Sequence, residues 1–356
     1  MGGERDCKTN QGALITSKGG TNISEKGSYV LGVDLGGTKI AFGLVDQAGQ
    51  VVKDLIVPTC PGEGAMGVIQ RIIAGLRQVA AAAGDRQGIK GIGIVVPGVL
   101  DVDSGRVVLA SNLNWRDVPI SAILEKELNL PLFLENDARA AAWGEKCFGQ
   151  GRRVEDLLYI AIGTGIGGGL ILGGRIYRGH HGNAGEIGHM VIDPEGPLCG
   201  CGNRGCWEAL ASGRAIANRA AALLAAGRPS SLGALAGRGE EVTALHVATA
   251  AAAGDELALE VMGEAARYIG LGIASLVTIF DPELVVLGGG VSRNGSLLLA
   301  TVTRVVRQRA LPPAAGDVQI VLSTWPEMAG VVGAAAVAFS RLGLLDEGGK
   351  ALCRAC

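Results

Sequence analysis

The sequence predicts an α/β protein built from two related lobes. Three observations lead there. Apolar runs of strand length alternate with longer stretches of helical spacing, the pattern of layered sheets and helices. The strand–glycine turn–strand pattern of VLGVDLGGTKIAFGLVD (residues 30–46) returns as LYIAIGTGIGGGLILGG (158–174), a weak internal duplication. Glycine supplies 58 of 356 residues, more than double the usual share of about 7%, and without a period. Glycine in such excess suits tight turns where backbone must approach a ligand.

In chain order, residues 1–28 are polar and aperiodic and read as a disordered tail. Three strands follow at 29–35, 38–46 and 50–57, joined by glycine turns. GAMGVIQRIIAGLRQVAAAAG has helical apolar spacing. IKGIGIVVPG is a buried strand ending in a Pro-Gly turn, ISAILEKELNL a short amphipathic helix, and PLFLEND a further strand, with a helix from Ala138 onward. The second unit opens with DLLYIAIGTGIGGGLILGGRIYRG, again strand, glycine turn, strand. Helices are expected near 213–227, 243–253 and 255–280, a strand in PELVVLGGGVS, a helix near 296–309, a strand near 317–322 and a last helix near 327–342.

Bulk properties exclude several classes. Net charge is −2, from 32 basic and 34 acidic side chains, so no polyanion partner is indicated. The longest strongly apolar run, Ile269 to Phe280, is shorter than the ~20 residues of a membrane-crossing helix. The start, MGGERDCKTNQ, is not a signal peptide, which makes the cytoplasm the expected location. There, clustered cysteines are more often metal ligands or reactive thiols than disulfides.

Four motifs carry chemistry. DLGGTK, Asp34 to Lys39, lies in a turn where glycine N–H groups can meet phosphate oxygens, and Asp34 at the strand end can hold Mg²⁺ through water. A plain hairpin turn reads equally well. GTGIGGG, Gly163 to Gly169, is a second such turn with Thr164 as a hydroxyl donor. The glycines 288–290 could receive a flat ring such as adenine, or simply enter a helix. LEND puts Asn136 and Asp137 at the end of a buried strand, where ligands of open α/β sheets collect. Asp137 could take a proton from a substrate hydroxyl, or merely cap the helix that follows. Finally Cys199, Cys201 and Cys206, with His189 as a fourth donor, form a Cys₃His set suited to structural zinc. The alternative is a disulfide, disfavoured by compartment and by the odd count. His180 and His181 lie outside the tight loop. The terminal CRAC, with Cys353 and Cys356, has CxxC spacing but no second half-site.

VDLGGTKIAFGLVD, END, IGTGIGGGLI, GNAGEIGHM and CGCGNRGCWE occur in this order over roughly residues 29 to 342. Together they resemble the ROK family of sugar kinases and repressors, particularly its bacterial glucokinases. The resemblance implies an actin-like, hexokinase-like (ribonuclease H-like) two-lobed ATPase fold with a zinc-binding loop. The small lobe is expected at 29–137 plus 326–346, the large lobe at 138–325, and a C-terminal tail at 347–356. It implies that Asp34, Gly36, Gly37, Thr38 and Lys39 lie by the ATP phosphates and Mg²⁺, with Thr164 and Gly165 opposite and Gly288, Gly289 and Gly290 beside adenosine. Asp137 would be the catalytic base. Asn112, Asn136, Asp137, Glu186, His189 and Glu208 would bind sugar hydroxyls, and Gly98 would approach the sugar. His189, Cys199, Cys201 and Cys206 would bind Zn²⁺. The implied activity is ATP-dependent phosphorylation of a hexose, glucose first, with fructose, mannose or N-acetylmannosamine as alternatives. A homodimer or homotetramer is implied. The charge balance and the short apolar runs, for their part, predict no nucleic-acid or membrane partner. A sugar-responsive repressor would need a helix-turn-helix, and only the polar tail precedes Tyr29. A purely structural zinc protein would have no use for Asp137 and both phosphate turns.

Overall fold

The structure, a computed structural model, describes residues 27–81, 88–237 and 241–345. The expected N-terminal tail up to residue 26, and the C-terminal tail with Cys353 and Cys356, lie outside the described residues. Two compact units emerge, one of residues up to 152 and from 328 onward, the other of 153–327.

The first unit opens with β1 (Tyr29–Leu35), β2 (Lys39–Asp46) and β3 (Val51–Pro58), an antiparallel meander in which Asp34 faces Ala41. Helix α1 (Gly64–Ala81) turns Val68, Ile69, Ile72, Leu76 and Val79 inward, and its Gly75 lies against the ring of Phe42. The next strand, β4 (Ile89–Val95), pairs parallel with β1. A small sheet then intervenes, β5 (Val99–Asp101), β6 (Arg106–Ala110) and β7 (Trp115–Val118), which the sequence pattern did not reveal. Helix α2 (Ile120–Leu128) leads to β8 (Leu132–Glu135), parallel to β4. Strand order is β3-β2-β1-β4-β8. Helix α3 (Asp137–Phe148) follows and stays with this unit, past the division expected after Asp137. Its residues 138–147 are all buried, so it belongs to a core rather than to a surface.

The second unit repeats the plan. Strands β9 (Leu157–Ile162), β10 (Ile166–Leu172) and β11 (Arg175–Ile176) form an antiparallel meander. After the cysteine loop come α4 (Trp207–Ala211), α5 (Gly213–Ala225), α6 (Leu232–Leu235), α7 (Ala244–Ala252) and α8 (Glu256–Phe280). Strand β12 (Leu284–Gly288) pairs parallel with β9, and beyond α9 (Gly295–Arg309) and α10 (Ala314–Asp317) strand β13 (Gln319–Leu322) pairs parallel with β12. The order is β11-β10-β9-β12-β13. The apolar face of α8 and the fully buried Trp207 anchor this core, and the Trp207 indole N–H donates to the Tyr268 carbonyl at 2.9 Å.

The chain then returns to the first unit as α11 (Ala329–Arg341). This helix packs on α3 and on β1 and β4. The Trp143 indole ties the pair, donating to Ser340 Oγ at 2.9 Å. The weak duplication read from sequence is therefore a duplicated sheet. Each unit has three antiparallel strands followed by two parallel ones, in the same order. Such mixed sheets with covering helices are those of the actin-like, hexokinase-like fold.

Candidate active site

In the first unit the expected residues gather at one edge of the sheet. β1, β4 and β8 run parallel, with Asp34 beside Val95 and Val95 beside Glu135. Their C-terminal ends lead into the Asp34–Lys39 turn, Gly98, and the Asn136–Asp137 pair, all on the edge where ligands of such sheets bind. The turn is closed by the Gly36 N–H donating to the Lys39 carbonyl at 3.0 Å. Thr59, fully buried, straps it from beyond β3. Its hydroxyl donates to the Gly36 carbonyl at 2.7 Å and its N–H to the Thr38 carbonyl at 3.0 Å. Gly36 is thus committed to the turn itself, and among the described turn and loop hydrogen bonds none uses the Gly37 or Thr38 N–H. Asn112 lies over Gly37, where an added Cβ would stand 3.2 Å from the Asn112 Cβ. Gly98 is exposed and holds φ +122°, a conformation that favours glycine.

Helix α3 is capped by Asn136, not by Asp137. Asn136 Oδ1 accepts the N–H groups of Ala138 at 3.1 Å and Arg139 at 3.2 Å. Asp137 is the first helical residue, and its Oδ1 accepts the Ala138 N–H at 2.9 Å. Its side chain reaches solvent at the edge, although protein packed closely around it strips part of its hydration. That burial in protein holds its carboxyl above the usual range, against the pull of nearby N–H groups and of Arg139. Asp34 is raised as well, from 3.8 to about 6, first by burial and then by the Asp137 charge, with Lys39 opposing. The first turn of α11 closes on Asp34 so tightly that a side chain at Gly330 would collide with its carboxyl.

The second unit has its own glycine edge. Gly163–Gly165 follows β9 and Gly288–Gly290 ends and follows the adjacent β12, with Gly288 beside Ala161. Gly288 is buried, Gly289 takes φ +85°, and Gly290 is open. The Gly163 N–H donates to the Gly165 carbonyl at 2.9 Å, and the Gly163 carbonyl accepts the Gly213 N–H at the start of α5 at 2.8 Å. Thr164 stands exposed on the turn. Glu208, from α4, accepts the Ile166 N–H on Oε2 at 2.9 Å, and only a glycine at 165 leaves room for that carboxylate. One Glu208 oxygen is therefore spent on the turn. Glu186 is exposed and precedes the short turn Ile187–His189, whose N–H at His189 donates to the Glu186 carbonyl at 3.1 Å.

The cysteine loop closes on itself as the spacing predicted. One donor atom each from His189, Cys199, Cys201 and Cys206 lies within 4.8 Å of all the others. Cys199 Sγ is 3.7 Å from His189 Nδ1, and Cys201 Sγ is 3.6 Å from Cys206 Sγ. A tetrahedron with Zn–S bonds of ~2.3 Å has edges of ~3.8 Å, so the cradle fits zinc in size and in donor chemistry. All three of these cysteines are free thiols. Without a cation, burial pushes the Cys206 thiol up to about 12, while the Asn203 N–H draws exposed Cys201 down to about 7. The strand-like bridge Val191–Cys206 and the Trp207 N–H, which donates to the Met190 carbonyl at 2.8 Å, join this loop to α4 and so to Glu208.

Three residues that shape these edges had no role assigned from the sequence: Thr59, Glu135, which stands within LEND, and Arg139. Thr59 carries no sequence signal. Glu135 and Arg139 stand four apart across a helix start, a spacing that permits an ion pair, and the structure forms it at 2.9 Å, fully buried.

The ROK family profile matches residues 30–341. The chain is 36% identical to a glucokinase of Thermotoga maritima over 315 residues, 88% of this chain and 98% of that one. It is 35% identical over 332 residues to a putative xylose repressor of a Caldicellulosiruptor species, covering 91% of this chain and 82% of the repressor. A solved ROK family glucokinase from Streptomyces griseus, in complex with glucose and AMPPNP, superposes with TM-score 0.77 at 38% identity, covering 86% of this chain and 98% of that one. This chain, with its duplicated sheet, paired glycine edges and Cys₃His loop, belongs to the ROK family.

Proposed function

We propose that the protein is an ATP-dependent hexose kinase, with D-glucose as acceptor and glucose 6-phosphate and ADP as products. The observation that carries the reading is Asp137. It is a water-accessible carboxylate at the ligand edge of the first sheet, freed from capping duty by Asn136 and raised towards the range useful to a general base. The glucokinase relatives support the same reading.

In this reading Asp137 takes the proton of the primary hydroxyl as that oxygen attacks the γ-phosphorus in line. The new O–P bond forms, the bond to the β-phosphate oxygen breaks, and ADP leaves with its electrons. Amides of the two glycine turns, with Thr38, Lys39 and Thr164, would receive the phosphates of the Mg²⁺–ATP substrate, and Asp34 would hold its metal through water. Gly288 to Gly290 would border adenosine. Asn112, Asn136, Glu186, His189 and the remaining Glu208 oxygen would bind sugar hydroxyls, with Gly98 close by. Positioning and electrostatics supply the acceleration, since the protein forms no covalent bond.

Zn²⁺ would be held by His189 Nδ1 and the three thiolates, and it would fix the aim of the loop rather than take part in phosphoryl transfer. His189 would then offer Nε2 to the sugar. The reading extends to a cytoplasmic homodimer or homotetramer without nucleic-acid or membrane partners. Among the described residues no helix is long and apolar enough to cross a membrane.

The test is ADP release, in a coupled assay with Mg²⁺–ATP, against glucose, fructose, mannose, N-acetylmannosamine and other hexoses. Glucose should give the highest kcat/KM. A second reading, a sugar-responsive regulator, is favoured by the xylose repressor relative. Silence across the panel together with saturable sugar binding would select it.

A further inference from the structure

We infer that Glu135 and Arg139 are a positioning pair for the reaction, clamping the strand-to-helix turn between them so that the Asp137 carboxylate is aimed at the substrate hydroxyl. The inference rests on the reading of Asp137 as general base and adds to it Glu135, which stands in the END motif without an assigned role, and Arg139, which lies outside it.

The two side chains sit among the most buried charges of the described residues, Glu135 at 0% and Arg139 at 5% exposure. A buried ion pair is a poor source of stability, because desolvation offsets most of its attraction and apolar residues of like volume do as well. Its placement is more informative. Glu135 ends β8 and Arg139 lies in the first turn of α3, with Asn136 and Asp137 between them. Glu135 Oε1 accepts from Arg139 Nε at 2.9 Å and also from the Asn136 N–H at 2.9 Å. The Glu135 carbonyl accepts the Val96 N–H at 3.2 Å, which fixes the turn to β4. On the helix side the Arg139 N–H returns to Asn136 Oδ1 at 3.2 Å.

One carboxylate oxygen thus joins the strand end, the cap residue and the helix. Backbone rotation at Asn136 would break two charge-assisted hydrogen bonds at once, each stronger than a neutral one. Asp137, one residue on, can move only as far as that clamp permits, and it is the residue whose placement sets the rate. The charges facing it are Asp34 at the end of β1, with Lys39 beyond, and Arg139 on its own helix. Arg139 also opposes the burial that raises the Asp137 carboxyl.

The experiment compares wild type, Arg139→Gln, Arg139→Lys, Glu135→Gln and Asp137→Asn as full chains. It measures kcat, KM for glucose and for Mg²⁺–ATP, and the pH profile of kcat. Arg139→Gln should lower kcat ~10- to 100-fold, leave KM for Mg²⁺–ATP within about twofold, and move the acid limb of the profile to higher pH. Arg139→Lys should restore the acid limb, since the charge returns, but only part of kcat, since an ammonium lacks the guanidinium fork. A folded Arg139→Gln with wild-type kcat and an unmoved limb would overturn the inference. If that variant does not fold, Arg139→Lys and Glu135→Gln carry the test, and wild-type kcat in both overturns it. Asp137→Asn separates the two readings. Normal turnover there removes the general base itself, whereas its loss beside unaffected pair variants removes only the clamp. Calorimetric glucose affinity across pH reads the same acid limb without turnover.

Discussion

The glycine turn of the first unit is strapped by a hydroxyl, and that of the second by a carboxylate. Thr59 reaches the Gly36 and Thr38 carbonyls from the end of its own meander. Glu208 reaches the Ile166 N–H from α4, some forty residues further along and directly after the cysteine loop. The sheets beneath are alike in order and sense. What differs is the material inserted between the third strand and the parallel pair, or within that pair. In the first unit a three-stranded sheet brings Asn112 over the turn. In the second a loop with little apolar content must be folded by something else, and its Cys₃His cradle supplies a means. A duplicated frame can thus hold equivalent turns while giving one half the proposed acid–base residue and the other half a strap beside a Cys₃His cradle that would take a metal.

The sharpest break in this comparison is at Asp137, which has no counterpart in the second unit. Asp137→Asn keeps the helix start, because Asn136 is the cap. It should lose on the order of 10²–10⁴ in kcat, the range ascribed to a general base, with a thermal unfolding temperature no lower than wild type, since the raised carboxyl is held charged at a cost. A kcat near wild type in the coupled assay would defeat the assignment.

Next come the turns themselves. Gly165→Ala drives a methyl into Glu208 and should release it from Ile166, whereas Gly37→Ala meets Asn112, with the Cβ nearest at 3.2 Å and the carbonyl oxygen at 3.5 Å. The first should cost roughly 10²-fold in kcat/KM and the second about tenfold or less, as loss of a charge-assisted hydrogen bond exceeds a small steric adjustment. Equal losses would mean that the straps are equivalent after all.

The strap beside the proposed zinc cradle can be tested alone. Chelation, or Cys201→Ala, should raise KM for glucose by about tenfold while KM for Mg²⁺–ATP changes little, since outer supports of a ligand typically carry 10- to 100-fold effects. Plasma emission spectrometry would show whether zinc leaves in step. Full sugar affinity in zinc-free protein would sever the loop from recognition.

Much of this molecule is legible in its sequence. The two meanders announce themselves because apolar runs on either side of a glycine turn can do little else, and the cysteine cradle because three thiols and an imidazole so close together are rarely accidental. The small sheet of 99–118 is not legible. Its strands are three to five residues long, and Asp101, Ser104, Asn112, Asn114 and Asp117 interrupt the alternation that would betray them. Nor is the place of α3. A helix rich in alanine carries no marked apolar stripe, and its burial against α11 arises from small residues, Gly144 facing Gly333, that let two backbones close up. Asn136 as cap in place of Asp137 is a matter of one residue, decided by geometry that both side chains could have satisfied.

The smallest effect separates the units by acid rather than by activity. Asp34 in the first unit is raised to about 6, chiefly by burial. Asp255 in the second caps α8, and although burial pushes it up, hydrogen bonds from Ala258, Ser231 and Ser230 outweigh that and bring it to about 2. The two must therefore tilt stability in opposite senses. For Asp34 the folded value exceeds the unfolded one, so its ionisation costs stability as pH rises from about 3.8 through 6, and the cost is complete above that. For Asp255 the folded value lies below, so its contribution is present above about 3.8 and is lost as pH falls towards 2. Asp34→Asn should stabilise ligand-free protein by about 1–2 kcal/mol at pH 7–8, with the gain vanishing near pH 4. Asp255→Ala should destabilise by ~1 kcal/mol at pH 7, as loss of a helix cap does, with the deficit shrinking below pH 4. Denaturant titrations of both variants between pH 4 and 8 measure the two slopes. Like signs would show that Asp34 is paired in the folded protein rather than held charged at a cost.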